Sequence, residues 1–207
     1  MLRMAKRFLT AILFVLASVA VAVGQEVEVD RYGINARIDP AASSVEVRAA
    51  LTVTNLGQAP KPRFYLRLNK QAKIAAVTVN GAAAAFEPSE DRRAPALNQV
   101  VVTLPNSLAA GGQAVVELTY RIEAPESNPL IAIYHGEVLL APDAIWVPMP
   151  STPYTLYGAP TAPISLTIST SGGLRGVSSG VAKNDPGSHY REMAGAGGLC
   201  RGGIGPR

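Results

Sequence analysis

Cysteine occurs once, at Cys200, so no disulfide can close within the chain. Histidine occurs twice, at His135 and His189, and neither stands in a His-Glu-x-x-His or near a Cys-x-x-Cys. A catalytic zinc site takes three protein ligands, histidines among them, so neither a metal site nor any other cofactor is expected. His135 has Glu137 and Asp143 near it in sequence and reads as a turn or surface histidine. There is no Gly-x-x-x-x-Gly-Lys phosphate loop and no dinucleotide fingerprint, and the glycines near residue 195 follow no strand and precede no helix. Bases interleaved with aromatics are lacking too; Arg92-Arg93 is an isolated pair, so no nucleic-acid partner is expected.

One catalytic pattern is present in outline. Gly176–Gly180 fits Gly-x-Ser-x-Gly around Ser178, with Asp185 and His189 following. A nucleophile elbow needs a turn from strand to helix on a parallel sheet, and no helical periodicity follows Gly180. Eleven residues from Ser178 to His189 also leave little chain to arrange a triad. The segment reads as a serine-rich turn, and no catalytic residue is expected anywhere in the chain.

Residues 1–24 read as a secretory signal peptide. Arg3, Lys6 and Arg7 form a basic start, Phe8–Val23 is nearly all apolar, and Ala22-Val23-Gly24 offers small residues for cleavage before Gln25. The apolar stretch is short for a full span, which takes roughly 20 residues, and no later run approaches that length. No stable membrane span is therefore expected after cleavage, and the protein is expected outside the cytoplasm, periplasmic or extracellular. Removing these 24 residues also removes three bases and no acids, leaving 16 bases against 15 acids. The high isoelectric point is thus partly a targeting signal.

What remains is long enough for one domain with a core, and 48% hydrophobic residues argue against disorder. Tyr32–Asn55 carries the clearest pattern. Val45, Val47, Ala49, Leu51 and Val53 occupy alternate positions, which puts them on one face of a strand. Val27–Ile38 alternates as well, but its phase slips at Asp30-Arg31, which predicts a bulge. Further strands are expected at Phe64–Leu68, Ile74–Val79, Val100–Leu104, Val116–Ile122, Ile131–Tyr134, Val138–Leu140 and Ile164–Ile168. Asn80-Gly81 predicts a type I′ hairpin with Ala82–Phe86 returning. Pro60, Pro62 and Pro105 predict loops or turns, and Pro88–Asn98 reads as a loop. The expectation is an all-β, mostly antiparallel β-sandwich of about ten short strands over residues 25–190, preceded by a signal-peptide helix. Residues 191–207 read as an irregular, disordered Gly-rich tail; Met193–Arg207 holds six glycines in fifteen residues. Such a tail is either flexible or the product of a cut or frameshift near His189, and the abrupt stop of the strand pattern favours the second.

Trp146-Val147-Pro148-Met149-Pro150, with Tyr154 and Tyr157, is the one aromatic concentration. Aromatics beside rigid prolines can make a platform for a peptide or sugar, so Trp146, Tyr154 and Tyr157 are a candidate binding surface; packing at the end of the core is the competing reading.

The order of these features resembles the N-terminal domain of the gluzincin, alanyl aminopeptidase-type zinc metallopeptidases. The resemblance rests on Tyr32-x-Ile34-x-x-x-Ile38-Asp39-Pro40, the Val45–Val53 strand, the Asn80-Gly81 hairpin, and Gly111-Gly112 before Leu118-Thr119-Tyr120. Trp146-Val147-Pro148, Ile164–Ile168 and Val177–Gly180 extend it to cover roughly Val27–Ala182. It implies a β-sandwich or saddle that packs on a separate catalytic domain carrying His-Glu-x-x-His and Gly-x-Met-Glu-Asn. Neither motif occurs here. The glutamine that the family's domain often supplies is missing from Val138–Ala144, so no functional residue carries over. The implied role is a non-catalytic domain supporting the substrate cleft of an exported aminopeptidase-like protein, its partner being a catalytic domain or protein not in this chain. A free-standing exported binding or adhesion module is the alternative.

Overall fold

A computed structural model describes residues 27–125, 130–134, 137–141, 144–150 and 162–170, with the strand backbones of 175–177, 181–183, 189–192 and 202–205. Residues 1–24, read from the sequence as a signal peptide, lie outside these residues. The chain is almost all strand, and the alternating runs appear where the periodicity put them. β1 is Val27–Asp39, β2 Ser44–Asn55, β3 Lys61–Asn69, β4 Ala72–Val79, β5 Ala82–Ala83, β6 Ala85–Glu90, β7 Leu97–Leu108 and β8 Gln113–Glu123. Shorter strands follow: β9 Ile131–Tyr134, β10 Glu137–Leu140, β11 Met149–Pro150, β12 Ile164–Thr170, β13 Arg175–Val177, β14 Val181–Lys183, β15 His189–Glu192 and β16 Gly202–Gly205.

They form three sheets. The largest runs β14-β15-β12-β1-β2-β8-β4-β5, and two four-stranded sheets run β11-β3-β7-β6 and β13-β16-β10-β9. Among the described residues pairing is antiparallel, with one exception: β1 and β12 are parallel, from Tyr32 opposite Ile164 to Ile38 opposite Thr170. The slip in the β1 pattern is a real irregularity. The β1–β2 register shifts between Val29 and Arg31, so Val29 and Tyr32 both point inward. The inner faces then close on one another. Val45, Val47, Leu51, Leu118 and Ile122 of the large sheet share a single apolar core with Phe64, Leu66, Val100 and Val102 of the second sheet and Ile131 and Val138 of the third.

Turns behave as their residues require. Asn80 and Gly81 have φ of 49° and 82°, the left-handed pair that a type I′ turn needs. Asn80 also holds β8, its side-chain oxygen accepting from the Val115 N–H at 2.8 Å. The returning strand is shorter than expected: Ala82–Ala83 pairs with β4, and the chain then crosses to the second sheet as β6.

Proline accounts for most of the differences from the sequence reading. Pro88 lies within β6, so Pro88–Asn98 is not all loop. β6 ends the β11-β3-β7-β6 sheet, and an edge strand has a side where no ladder donor is needed. Pro62 sits in β3 where the β3–β7 register shifts between Lys61 and Arg63, and Pro105 lies in β7 between Thr103 and Leu108, across from that same shift. At the other end, the segment read as an irregular tail contains β16, which pairs with β10 and β13. β15 likewise carries strand to Glu192, past residue 190. Ladder bonds are made by the main chain, so glycine-rich sequence can pair without side chains to pack.

One buried polar side chain ties three segments together. Asn55 ends β2, and its amide donates to the carbonyls of Ala59, Leu108 and Ala109 at 2.9, 2.9 and 3.0 Å. Its side-chain oxygen accepts from the Gly57 N–H at 2.9 Å. Asn55→Ala is expected to cost about 1–2 kcal/mol, since three part-buried carbonyls would lose their donor, measurable by urea denaturation. Asn55→Asp sets an oxygen against those carbonyls. It is expected to match Asn55→Ala in acid and to lose further stability as pH rises above the ordinary aspartate range of about 3.9.

Candidate functional site

The large sheet has one face in the core, so the alternate residues of its strands line up on the other. The pairings place them in rows. One row reads Ser169, Arg37, Glu46, Arg121, Lys73 across β12, β1, β2, β8 and β4. The next reads Thr167, Asn35, Arg48, Thr119, Ala76. Between Ile74 and Ala76 the β4–β8 register shifts, leaving Ala75 as an extra residue. A bulge of this kind bends its strand, and Ala75 lines the concavity that results. This hollow has a volume of about 550 Å³ and is walled by Asn35, Arg37, Glu46, Arg48, Lys73, Thr119, Arg121, Thr167 and Ser169.

Its charges are partly neutralised. The Arg48 guanidinium donates to Glu117 at 2.7 Å, Lys73 pairs with Glu123, and Arg37 stands 4.0 Å from Glu46. The hydrogen bond and charge of Glu117 raise Arg48 above its ordinary value. The hydrogen bond and charge of Lys73, helped by Arg121, hold Glu123 below the ordinary glutamate value. Arg48, Lys73 and Glu123 are exposed and Glu117 half-buried, so water and salt screen these pairs. No side chain here is poised as a nucleophile with a base; guanidinium, ammonium, hydroxyl and amide groups bind anions and hydrogen-bond acceptors.

A second polar feature is buried. Arg67 Nε donates to Asp91 at 2.6 Å, with the two side chains 3% and 6% exposed. The pair lies beside a small apolar cluster of Leu97, Ile145 and Met149, away from the main core. Burial, the largest single influence on Asp91, pushes its carboxyl up. The Arg93 N–H and the Arg67 guanidinium outweigh burial and hold it below the ordinary value.

The residues singled out in the sequence separate here. Trp146 is 3% exposed and belongs to the main core, where its carbonyl accepts from the Tyr120 hydroxyl at 2.7 Å. Its ring therefore forms no open platform, because the sheet beneath supplies apolar surface that the indole covers. Tyr154 and Tyr157 lie outside the described residues, as do His135, Asp143, Ser178 and Asp185. His189 pairs through its backbone with Thr167 and Lys183, and the chain on either side of Ser178 is strand, β13 and β14. Among the described residues no group of three or more His, Cys, Asp and Glu could hold a metal. The hollow escaped the sequence reading. Its side chains were legible as the wet face of strands, but nothing in the order of residues reveals which strands stand side by side.

No protein-family model matches this sequence, and no curated protein does. Solved structures are similar in fold. The M1 zinc metallopeptidase of Deinococcus radiodurans superposes with a TM-score of 0.61 at 17% identity, over 88% of this chain and 42% of that one. The native leukotriene A4 hydrolase of Saccharomyces cerevisiae gives 0.62 at 14% identity, over 89% of this chain and 29% of that one. The yeast enzyme in complex with bestatin gives 0.62 at 13% identity, over 91% and 31%. This chain thus spans less than half the length of the structures it matches. It has the fold of one β unit of such proteins, consistent with an N-terminal domain, as the resemblance implied.

The buried pair generates a pH-dependent expectation. Asp91 titrates below its unfolded value, so its contribution is complete at neutral pH. It is lost as pH falls through the folded value, below the ordinary value of 3.8. Asp91→Ala leaves Arg67 buried without its carboxylate and is expected to cost about 3–5 kcal/mol at pH 7. In denaturant titrations the gap from the wild type should narrow in acid.

Proposed function

We propose that residues 25–190 are the non-catalytic β-sandwich of an exported zinc aminopeptidase-like protein. The sandwich packs on a catalytic domain lying outside these 207 residues and walls one side of its substrate cleft. The carrying observation is the asymmetry of coverage: nearly nine-tenths of this chain superposes on less than half of an M1 zinc metallopeptidase. The sequence adds that neither His-Glu-x-x-His nor Gly-x-Met-Glu-Asn occurs here, so zinc chemistry would come from the other domain. The basic, then apolar, start of the chain supports export to the periplasm or beyond. The alternative, a free-standing binding or adhesion module, drew on the Trp146–Tyr157 surface, of which the Trp146 ring lies in the core.

The test has two arms. The purified chain, given zinc and aminoacyl-anilide substrates, is expected to show no turnover; zinc-dependent hydrolysis by this chain would overturn its non-catalytic assignment. The genomic sequence beyond codon 207, read in all three frames, is expected to encode a His-Glu-x-x-His segment. A stop codon with no such segment in any frame would leave the cleft-supporting role without a catalytic domain in the same gene.

A further inference from the structure

The hollow on the outer face of the large sheet has features that a solvated face alone does not require. Four cations, Arg37, Arg48, Lys73 and Arg121, wall it together with one acid, Glu46. The acids that neutralise Arg48 and Lys73, Glu117 and Glu123, are not among its walls. Arg121 makes no ion pair among the described residues, and in the ladder it stands directly opposite Lys73. Like charges placed opposite each other across two strands are unfavourable. Here they sit at the β8–β4 end of the hollow, beside the bulge at Ala75. Glu46 stands opposite Arg121 on β2 and the Arg121 charge acts on Glu123, yet neither acid holds the guanidinium in a salt bridge, so its planar fork of donors is open to carboxylate or phosphate oxygens.

We propose that this hollow binds a small organic polyanion bearing carboxylate or phosphate groups, with Arg121 as its anchor. Adjacent strands lie about 4.8 Å apart and alternate residues along a strand about 6.7 Å apart. Arg37 and Arg121 stand on either side of Glu46 in one row, with Arg48 in the next, so two or three anionic groups of one molecule can each meet a cation across the hollow. The volume of about 550 Å³ suits a ligand of that size. Thr119 and Asn35 supply neutral polar groups on the same wall. A bound anion also relieves the Arg121–Lys73 repulsion, which couples binding to the stability of the β4–β8 pair. The proposal concerns a face of this domain and does not depend on a catalytic partner.

The experiment is isothermal titration of the purified full chain with citrate and with tripolyphosphate, in wild type, Arg121→Glu and Arg92→Glu. Arg92→Glu makes the same change of charge at an exposed turn of another sheet, so it controls for net charge. Thermal melts without ligand establish that each variant folds. Saturable 1:1 binding of at least one anion is expected, weakened about tenfold or more by Arg121→Glu and little by Arg92→Glu. The anion that binds identifies the group, carboxylate for citrate and phosphate for tripolyphosphate, and binding of both denotes a site for either. Equal weakening by the two variants would mean nonspecific attraction and overturn the proposal, as would no saturable binding of either anion.

Discussion

The register between β1 and β2 is the constraint on which the rest of the molecule depends. Side chains alternate on a strand, so a slip of one residue exchanges the dry face for the wet one. β1 needs such an exchange midway, and the irregularity between Val29 and Arg31 supplies it. Past that point Tyr32, Ile34, Ala36 and Ile38 all face the core, and Asn35 and Arg37 face the hollow. β2 passes the same phase to β8, and β8 passes it to β4 with a second slip at Ala75, so the core and the charged rows are two sides of one pattern. Tyr120 carries it further. Its side chain is buried with the apolar residues of β8, and its hydroxyl reaches the Trp146 carbonyl to fasten the 144–147 segment over the sheet. Burial raises both Tyr120 and Tyr32 above the ordinary tyrosine value, so both remain neutral hydroxyls.

Much of this architecture was legible in the order of residues. The alternation of Val45–Val53, the phase slip at Asp30 and the Asn80-Gly81 turn all depend on neighbours within a few residues, and all three lie where the pattern placed them. The prolines misled because their meaning is not local. Pro88 breaks a central strand but is tolerated at an edge, and no stretch of sequence announces that β6 will be an edge. The same holds for the tail: a glycine-rich stretch with few side chains to pack can still pair through its main chain with β10. The hollow was the least legible feature. Arg37 and Arg121 are far apart in the chain and read singly as exposed charges, and only the sheet order brings them to one row.

Fold and function separate clearly in this protein. The fold is shared with a region of an M1 zinc metallopeptidase and of leukotriene A4 hydrolase at identities of 13–17%, a range in which backbone shape persists while surface chemistry does not. Chemistry must then be argued from this chain's own side chains. Those point to recognition: a wet sheet face with an excess of cations in its hollow, and a buried ion pair whose surroundings are structural.

The parallel pairing of β1 with β12 has a consequence for how the molecule comes into being. On leaving a ribosome, β1 acquires its antiparallel neighbour β2 at once, through a tight turn. Its other edge stays open until Ile164–Thr170 arrives, after every strand from β2 to β11 has emerged. Pairings so distant in sequence are slow to form, since a long loop must close before any contact rewards it. For that interval the nascent chain carries an exposed edge along Tyr32–Ile38, the place where a second copy or a chaperone could pair first. Quality control during biogenesis would then turn on the last third of the chain closing over the beginning, rather than on the strength of any single contact in the finished fold.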